Sequence, residues 1–296
     1  MKIRYTVLSA LMILSAVATN GCNKLPGAKE HEKSYTVSVS IPPAAYLIEQ
    51  ITQGTDIKVQ TILKPGEDPH TASVDAKQIV KLNNSDIFFT VGLPEEEQYT
   101  NALKNSETTR ISNLDRLTKK RAISQRSNCC PHGKGDDPHT WLSLNNLRLM
   151  SISATAELCA VYPDKKNIFK ANFLKLEKKI FKLRSKLIVK LLPYAGTTLY
   201  VYHPSFGYFA DEFGLNQRAI EFEGKTPTIK HLDKTLALAE SDKAKAVITQ
   251  PQSNPSYARI IARKIDAKVY SVDPLAANPL NTIKKLADIV VKSAEE

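Results

Sequence analysis

Cysteine is scarce in this 296-residue chain: Cys22, Cys129, Cys130 and Cys159 are the only four. If Cys22 is consumed by modification an odd number remains, so no disulfide-built scaffold follows. Cys129 and Cys130 bridge one another only through a strained peptide, and pairing of one of them with Cys159 stays open. Long apolar runs are lacking apart from Tyr5–Thr19. That run is shorter than the roughly 20 residues a bilayer-spanning helix needs, so no integral membrane segment is expected. The His-Glu-x-x-His helix of zinc hydrolases and the nucleophile elbow of serine hydrolases are both missing, which speaks against those enzyme classes. Acidic residues fall short, since 41 Lys and Arg against 30 Asp and Glu leave a formal charge of +11. Such a balance suits anionic partners in general. No recognition module or aromatic-interleaved basic patch accompanies it, and nucleic acid is not expected as a partner.

What is present begins with an export signal. Lys2 and Arg4 precede the apolar run and Asn20-Gly21 close it ahead of Cys22, so residues 1–21 read as a cleaved signal peptide. A small residue directly before Cys22 resembles the bacterial lipobox, in which the cysteine becomes an acylated N-terminus that holds an otherwise soluble protein at a membrane surface. An ordinary secretory signal with Cys22 incidental is the alternative. Residues 22–34 read as a polar tether, and the mature protein is expected outside the cytoplasm, in the periplasm or at the cell surface.

From Tyr35 onward, short β-rich runs alternate with helical periods. Tyr35–Ile41, Ile57–Leu63 and Ile87–Val91 read as strands, with Ala44–Ile51 and Ala76–Asn83 helical. The same grammar returns after Pro193, with strands at Thr198–Tyr202, Ala246–Thr249 and Lys268–Val272 and helices near Ile229–Glu240, Tyr257–Lys264 and Leu280–Lys292. This predicts an α/β fold of two lobes with parallel sheets, over residues 35–160 and 194–296. Between them Phe169, Phe173, Leu176, Ile180, Leu183, Leu187 and Leu191 place one apolar stripe on a long helix within residues 161–193. Its other faces are rich in lysine, which reads as a solvated surface or as one attracted to anionic lipid.

Four side chains stand in loops at or just beyond strand ends, where α/β folds place their chemistry: His70, His139, His203 and Asp273. Three imidazoles and a carboxylate suit Zn²⁺, with Mn²⁺ or Fe²⁺ as alternatives. Glu67 and Asp68, beside His70, read as turn caps, with orientation of its imidazole as the alternative role. His31 and His231 read as surface residues.

The segments around these residues are Asp68-Pro69-His70, Asp137-Pro138-His139-Thr140-Trp141, His203-Pro204-Ser205-Phe206-Gly207-Tyr208-Phe209 and Val272-Asp273-Pro274-Leu275. Together they resemble the four metal-site motifs of the zinc/manganese substrate-binding proteins of ABC importers, the cluster A-I proteins. Glu221-Phe222-Glu223-Gly224, Gln250-Pro251-Gln252 and Val91-Gly92-Leu93 with its following glutamates extend the likeness. The resemblance implies two lobes joined by one backbone helix, with the metal site in the cleft between them. It implies that His70 and His139 ligate from the first lobe and His203 and Asp273 from the second. A histidine at the third position, where a glutamate tends to accompany manganese, favours zinc. The implied function is extracytoplasmic capture of Zn²⁺, without catalysis, by a monomer that delivers the ion to an ABC permease with its cytoplasmic ATPase; a Mn²⁺ or Fe²⁺ importer binding protein, or a surface adhesin with a structural metal site, is the alternative. The long His-rich acidic loop of many zinc-specific members is absent, and Cys129-Cys130-Pro131-His132 stands in its place.

Overall fold

The computed structural model describes residues 35–64, 66–122, 136–221 and 227–295; the segments expected to be export signal and tether, Cys22, and the Cys129-Cys130 segment lie outside them. The first half runs β1 (Thr36–Val39), α1 (Pro42–Thr52), β2 (Lys58–Thr61), α2 (Ala76–Asn83), β3 (Ile87–Thr90), α3 (Glu97–Ala102) and β4 (Arg110–Asn113). All four strands are parallel in the order β2-β1-β3-β4, with Val37 opposite Val59 and Ile87, and Phe88 opposite Ile111. The central strand β3 is buried at every position, as a strand covered on both faces must be. Helix α2 starts in a capping box, Asp75 accepting from the Gln78 N–H and Gln78 answering to the Asp75 N–H.

Helix α4 (Leu144–Val161) and helix α5 (Lys166–Leu191) follow. The 26 residues of α5 make a rod of about 39 Å. It begins after a short 3₁₀ turn at Pro163 and ends at another that contains Pro193, as the proline positions lead one to expect. The second half repeats the first: β5 (Thr198–Val201), α6 (Gly207–Glu212), β6 (Asn216–Ala219), α7 (Ile229–Ser241), β7 (Ala246–Thr249), α8 (Ser256–Lys264), β8 (Lys268–Ser271) and α9 (Pro279–Ala294). Its parallel sheet has the order β6-β5-β7-β8, the same winding as the first.

One apolar core crosses the molecule. Val37, Ile48 and Phe89 beside the first sheet join Leu147 of α4, then Phe169, Ile180 and Leu187 of α5, then Val201, Ile283 and Leu286 of the second half in a single buried cluster. Helix α5 supplies this continuity by packing on α1, α4 and α9. Polar groups seal its seams. Asn172 of α5 donates to the carbonyls of Ile51 and Gln53, satisfying the C-terminal end of α1. The N-terminus of α4 is held from the other half of the molecule: Glu212 of α6 accepts from the Ser143 hydroxyl and from the Leu144 and Asn145 N–H groups, and Arg184 of α5 pairs with the same carboxylate at 2.7 Å. Among the described residues no helix is long and apolar enough to cross a membrane.

Each sheet reverses its winding between its two central strands, and in such sheets ligands sit beyond the carboxyl ends of the strands. The loops that follow β2, β3, β5, β6 and β8, together with the segment just ahead of α4, carry the residues of the candidate site.

Candidate metal centre

Two of the three histidines arrive on the same local device. In Asp68-Pro69-His70 the Asp68 carboxylate accepts the His70 N–H at 3.0 Å, and in Asp137-Pro138-His139 the Asp137 carboxylate accepts the His139 N–H at 3.0 Å. These are Asx turns, in which an aspartate side chain stands in for a backbone carbonyl and fixes the residue two places on. Asp273-Pro274-Leu275 is a third, with the Leu275 N–H on Asp273 Oδ1 at 2.9 Å. His203 follows β5, and the next turn closes through the Ser205 N–H on the His203 carbonyl.

The three imidazoles converge. Their ring centroids are 5.1 to 5.9 Å apart, and one nitrogen from each lies within 4.8 Å of the others. His139 and His203 are buried and His70 is partly so. Behind each ring stands a carboxylate on Nδ1: Glu95 at 2.8 Å from His70, Asp137 at 2.8 Å from His139, and Glu221 at 2.7 Å from His203. An ionised carboxylate only accepts, so each Nδ1 carries the proton and each Nε2 is left with its lone pair. Nε2 of His139 and Nε2 of His203 face each other at 3.3 Å. Two lone pairs so placed repel unless a cation lies between them. Nitrogens bound tetrahedrally to Zn²⁺ at about 2.0–2.1 Å stand about 3.3–3.4 Å apart, so this pair already has the spacing of two zinc ligands.

Electrostatics prepare the same state. Burial holds the His139 imidazole below its ordinary pKa; Asp137 opposes this, and the neighbouring His203 and His70 reinforce it, so His139 stays neutral and able to ligate. Burial alone would raise the Asp137 carboxyl, but its hydrogen bonds and charge contacts with His139, and then Arg121, carry it below the usual carboxylate range. Glu95 is likewise raised by burial and brought below its ordinary value by His70. The turn that presents Glu95 is pinned by its neighbour, the buried Glu96, which accepts from the N–H groups of Val91, Gly92 and Leu93.

Contacts between the two halves close around the trio. Arg121 donates to Asp137 at 2.9 Å and to Asp211 of α6 at 2.8 Å. The Tyr208 hydroxyl donates to the Asp137 carbonyl, and the Trp141 indole N–H to the Pro274 carbonyl at 2.8 Å. Gly207 lies directly against the Arg121 guanidinium, so a Cβ there would displace it.

His70, His139 and His203 are therefore brought together as expected, whereas Asp273 is not one of the clustered donors. Its Oδ1 serves its own turn and accepts from Gln252 at 3.0 Å. Cys22 lies outside the described residues. Glu67 and Asp68 act as turn residues, accepting from the backbone of Lys64 and His70, and the ring of His70 is held instead by Glu95. His231, expected on the surface, is half-buried on α7 beside Thr235. Cys159 is partly buried on α4 and has no disulfide partner among the described residues.

Comparison with known proteins agrees with this geometry. Residues 37–293 match the family model described as zinc-uptake complex component A, periplasmic. The high-affinity zinc uptake system protein ZnuA of Yersinia pestis is 22% identical over 271 residues, covering 82% of this chain and 84% of that protein. A crystal structure of ZnuA superposes with a TM-score of 0.80 at 26% identity, covering 88% of this chain and 99% of that one. The periplasmic zinc-binding protein TroA of Treponema pallidum shares the fold, with a TM-score of 0.75 at 17% identity over 88% of this chain and 99% of that one. With two parallel sheets of one winding, a long helix through their common core and three imidazoles gathered within 4.8 Å of one another, the chain belongs to the family of periplasmic zinc-uptake component A, the substrate-binding proteins of ABC zinc importers.

Proposed function

We propose that this protein captures one Zn²⁺ ion with Nε2 of His70, His139 and His203 and surrenders it to the membrane permease of an ABC importer driven by a cytoplasmic ATPase. The observation that carries this reading is the set of three carboxylates, each on one Nδ1, behind three imidazoles that bring one nitrogen apiece within 4.8 Å of the others. Such outer partners lock the ring orientation and make the imidazole a better donor. Asp273 completes the shell as the fourth ligand; its Oδ1 is occupied by Leu275 and Gln252, while Oδ2 has no hydrogen-bond partner among the described residues.

The reading is of a binding protein and not an enzyme. A catalytic zinc keeps an open position beside a general base, and here Glu95, Asp137 and Glu221 are each already committed to an imidazole. The continuous core and the bridges made by Arg121, Trp141 and Glu212 favour small adjustments over wide closure, so release falls to the permease, which separates the ligands. The lobes comprise residues 35–160 and 194–296 around a linking segment at 161–193. The protein acts as a monomer, tethered to a bacterial membrane through acylated Cys22.

Titration of the metal-stripped protein with Zn²⁺, Mn²⁺ and Fe²⁺ tests the proposal. One equivalent of tightly bound zinc, lost in His139→Ala, is expected. Preference for Mn²⁺ or Fe²⁺ would overturn the choice of metal, and absence of stoichiometric binding would overturn the site.

A further inference from the structure

The solvent face of α5 is built unlike an ordinary solvated helix. Its buried stripe is complete with Phe169, Leu176, Ile180, Leu187 and Leu191, yet the opposite side carries a second set of large apolar residues. Leu174 is 61% exposed, Phe181 67%, Val189 75% and, just past the helix, Leu192 71%. Leu174, Phe181 and Ile188 recur every seventh residue, which lines them up along the rod, and Ile188 too is exposed. Beside this row Lys178, Lys182 and Lys186, at every fourth position, form a parallel ridge of exposed cations, with Lys175 and Lys179 next to it. The only acid within α5 is Glu177, and it is engaged by Arg148 at 2.7 Å. Among the described residues no carboxylate pairs with Lys178, Lys182 or Lys186.

We propose that this face of α5 docks on an anionic lipid surface, the lysine ridge meeting phosphate headgroups while Leu174, Phe181 and Ile188 enter the boundary between headgroups and acyl chains. The charge pattern selects this occupant. A second copy of the chain would set lysine ridge against lysine ridge. A nucleic acid would satisfy the lysines and leave the apolar row facing phosphates, whereas a bilayer interface accepts both chemistries side by side. None of the three histidines lies on α5, and the docking does not depend on acylation of Cys22 or on the metal reading.

The test uses the compact unit Ser34–Glu296, which contains the whole described core and lacks Cys22 and the apolar leader. Sedimentation with phosphatidylcholine vesicles, with and without phosphatidylglycerol, should show binding to the anionic vesicles alone, weakening as salt rises. Lys178→Glu, Lys182→Glu and Lys186→Glu together should lower the partition constant at least about tenfold. Leu174→Ser with Phe181→Ser should lower it by a similar factor, about tenfold, at unchanged charge. Both variants should keep the parent's zinc stoichiometry and urea midpoint, since every changed side chain is exposed. The proposal is overturned if the parent ignores anionic vesicles, if either variant binds them as well as the parent, if single-stranded RNA binds while vesicles do not, or if the face proves to form a dimer.

Discussion

Replacing Glu221 separates two ways in which a carboxylate can support a metal-binding imidazole. Glu221 Oε1 lies 2.7 Å from His203 Nδ1, and its side chain is only 8% exposed, so water does not readily take its place. In Glu221→Ala the Nδ1–H is left without its acceptor, a loss of about 1–3 kcal/mol for a buried donor. The ring escapes that cost by moving its proton to Nε2, the atom the metal needs. The penalty then appears in binding, and a 10–100-fold rise in Kd, about 1.4–2.7 kcal/mol, is the expected size. Glu221→Gln retains a carbonyl oxygen to accept the proton and loses only the charge, so its effect belongs near the lower end, roughly tenfold. Competition against a chromophoric chelator at neutral pH measures both variants, and long-range ¹⁵N NMR of the metal-free proteins reports the tautomer. If Glu221→Ala binds zinc within about threefold of the parent while folded, the carboxylate does not set the tautomer and the reasoning fails.

Three further outcomes follow from particular contacts. Because burial holds His139 below its ordinary pKa, the metal-free protein keeps this part of its stability above the unfolded imidazole value, about 6.5, and loses it as pH falls below that, at up to about 1.4 kcal/mol per pH unit; urea unfolding should show a component that His139→Gln removes. Glu212→Ala strips the N-terminus of α4 of its acceptor and leaves the half-exposed Arg184 to water, so a loss of about 1–3 kcal/mol in urea unfolding is expected, against less for Glu212→Gln. Gly92 has φ +84° and its Cβ would sit 2.5 Å from Asp115 Oδ2, a buried carboxylate held by Lys120. Gly92→Ala should therefore cost roughly 3 kcal/mol and, by moving the turn that carries Glu95, weaken zinc binding in the same chelator assay.

Much of this architecture was legible in the sequence, and each exception has a physical cause. Helix α2 and strand β7 match their expected bounds residue for residue, and α5 begins and ends beside the prolines that bracket it. Strands β4 (Arg-Ile-Ser-Asn) and β6 (Asn-Gln-Arg-Ala) were not legible, because both are edge strands whose exposed positions take polar residues and erase the apolar alternation. Helix α4 escaped for the opposite reason. It is sandwiched between α5 and the first half of the molecule, so small and apolar residues surround it and no single stripe marks it as helical. At the site the imidazoles could be read from their Asp-Pro-His and His-Pro settings, but their acceptors could not all be. Asp137 lies two residues from its histidine, whereas Glu95 and Glu221 lie 25 and 18 residues from theirs, and only the folded sheets bring those pairs into contact. Asp273 shows the limit of motif reading: its Asp-Pro-x turn is built like the other two, and that turn engages one oxygen of the carboxylate counted as a ligand.

Whether three imidazoles hold one zinc ion is read from X-ray absorption at the zinc edge of the one-to-one loaded protein. Three imidazole nitrogens and one oxygen at about 2.0–2.1 Å are expected, with the imidazole count falling by one in His203→Ala. A shell containing sulfur, or one that does not change when His70, His139 or His203 is replaced, would contradict three-imidazole ligation.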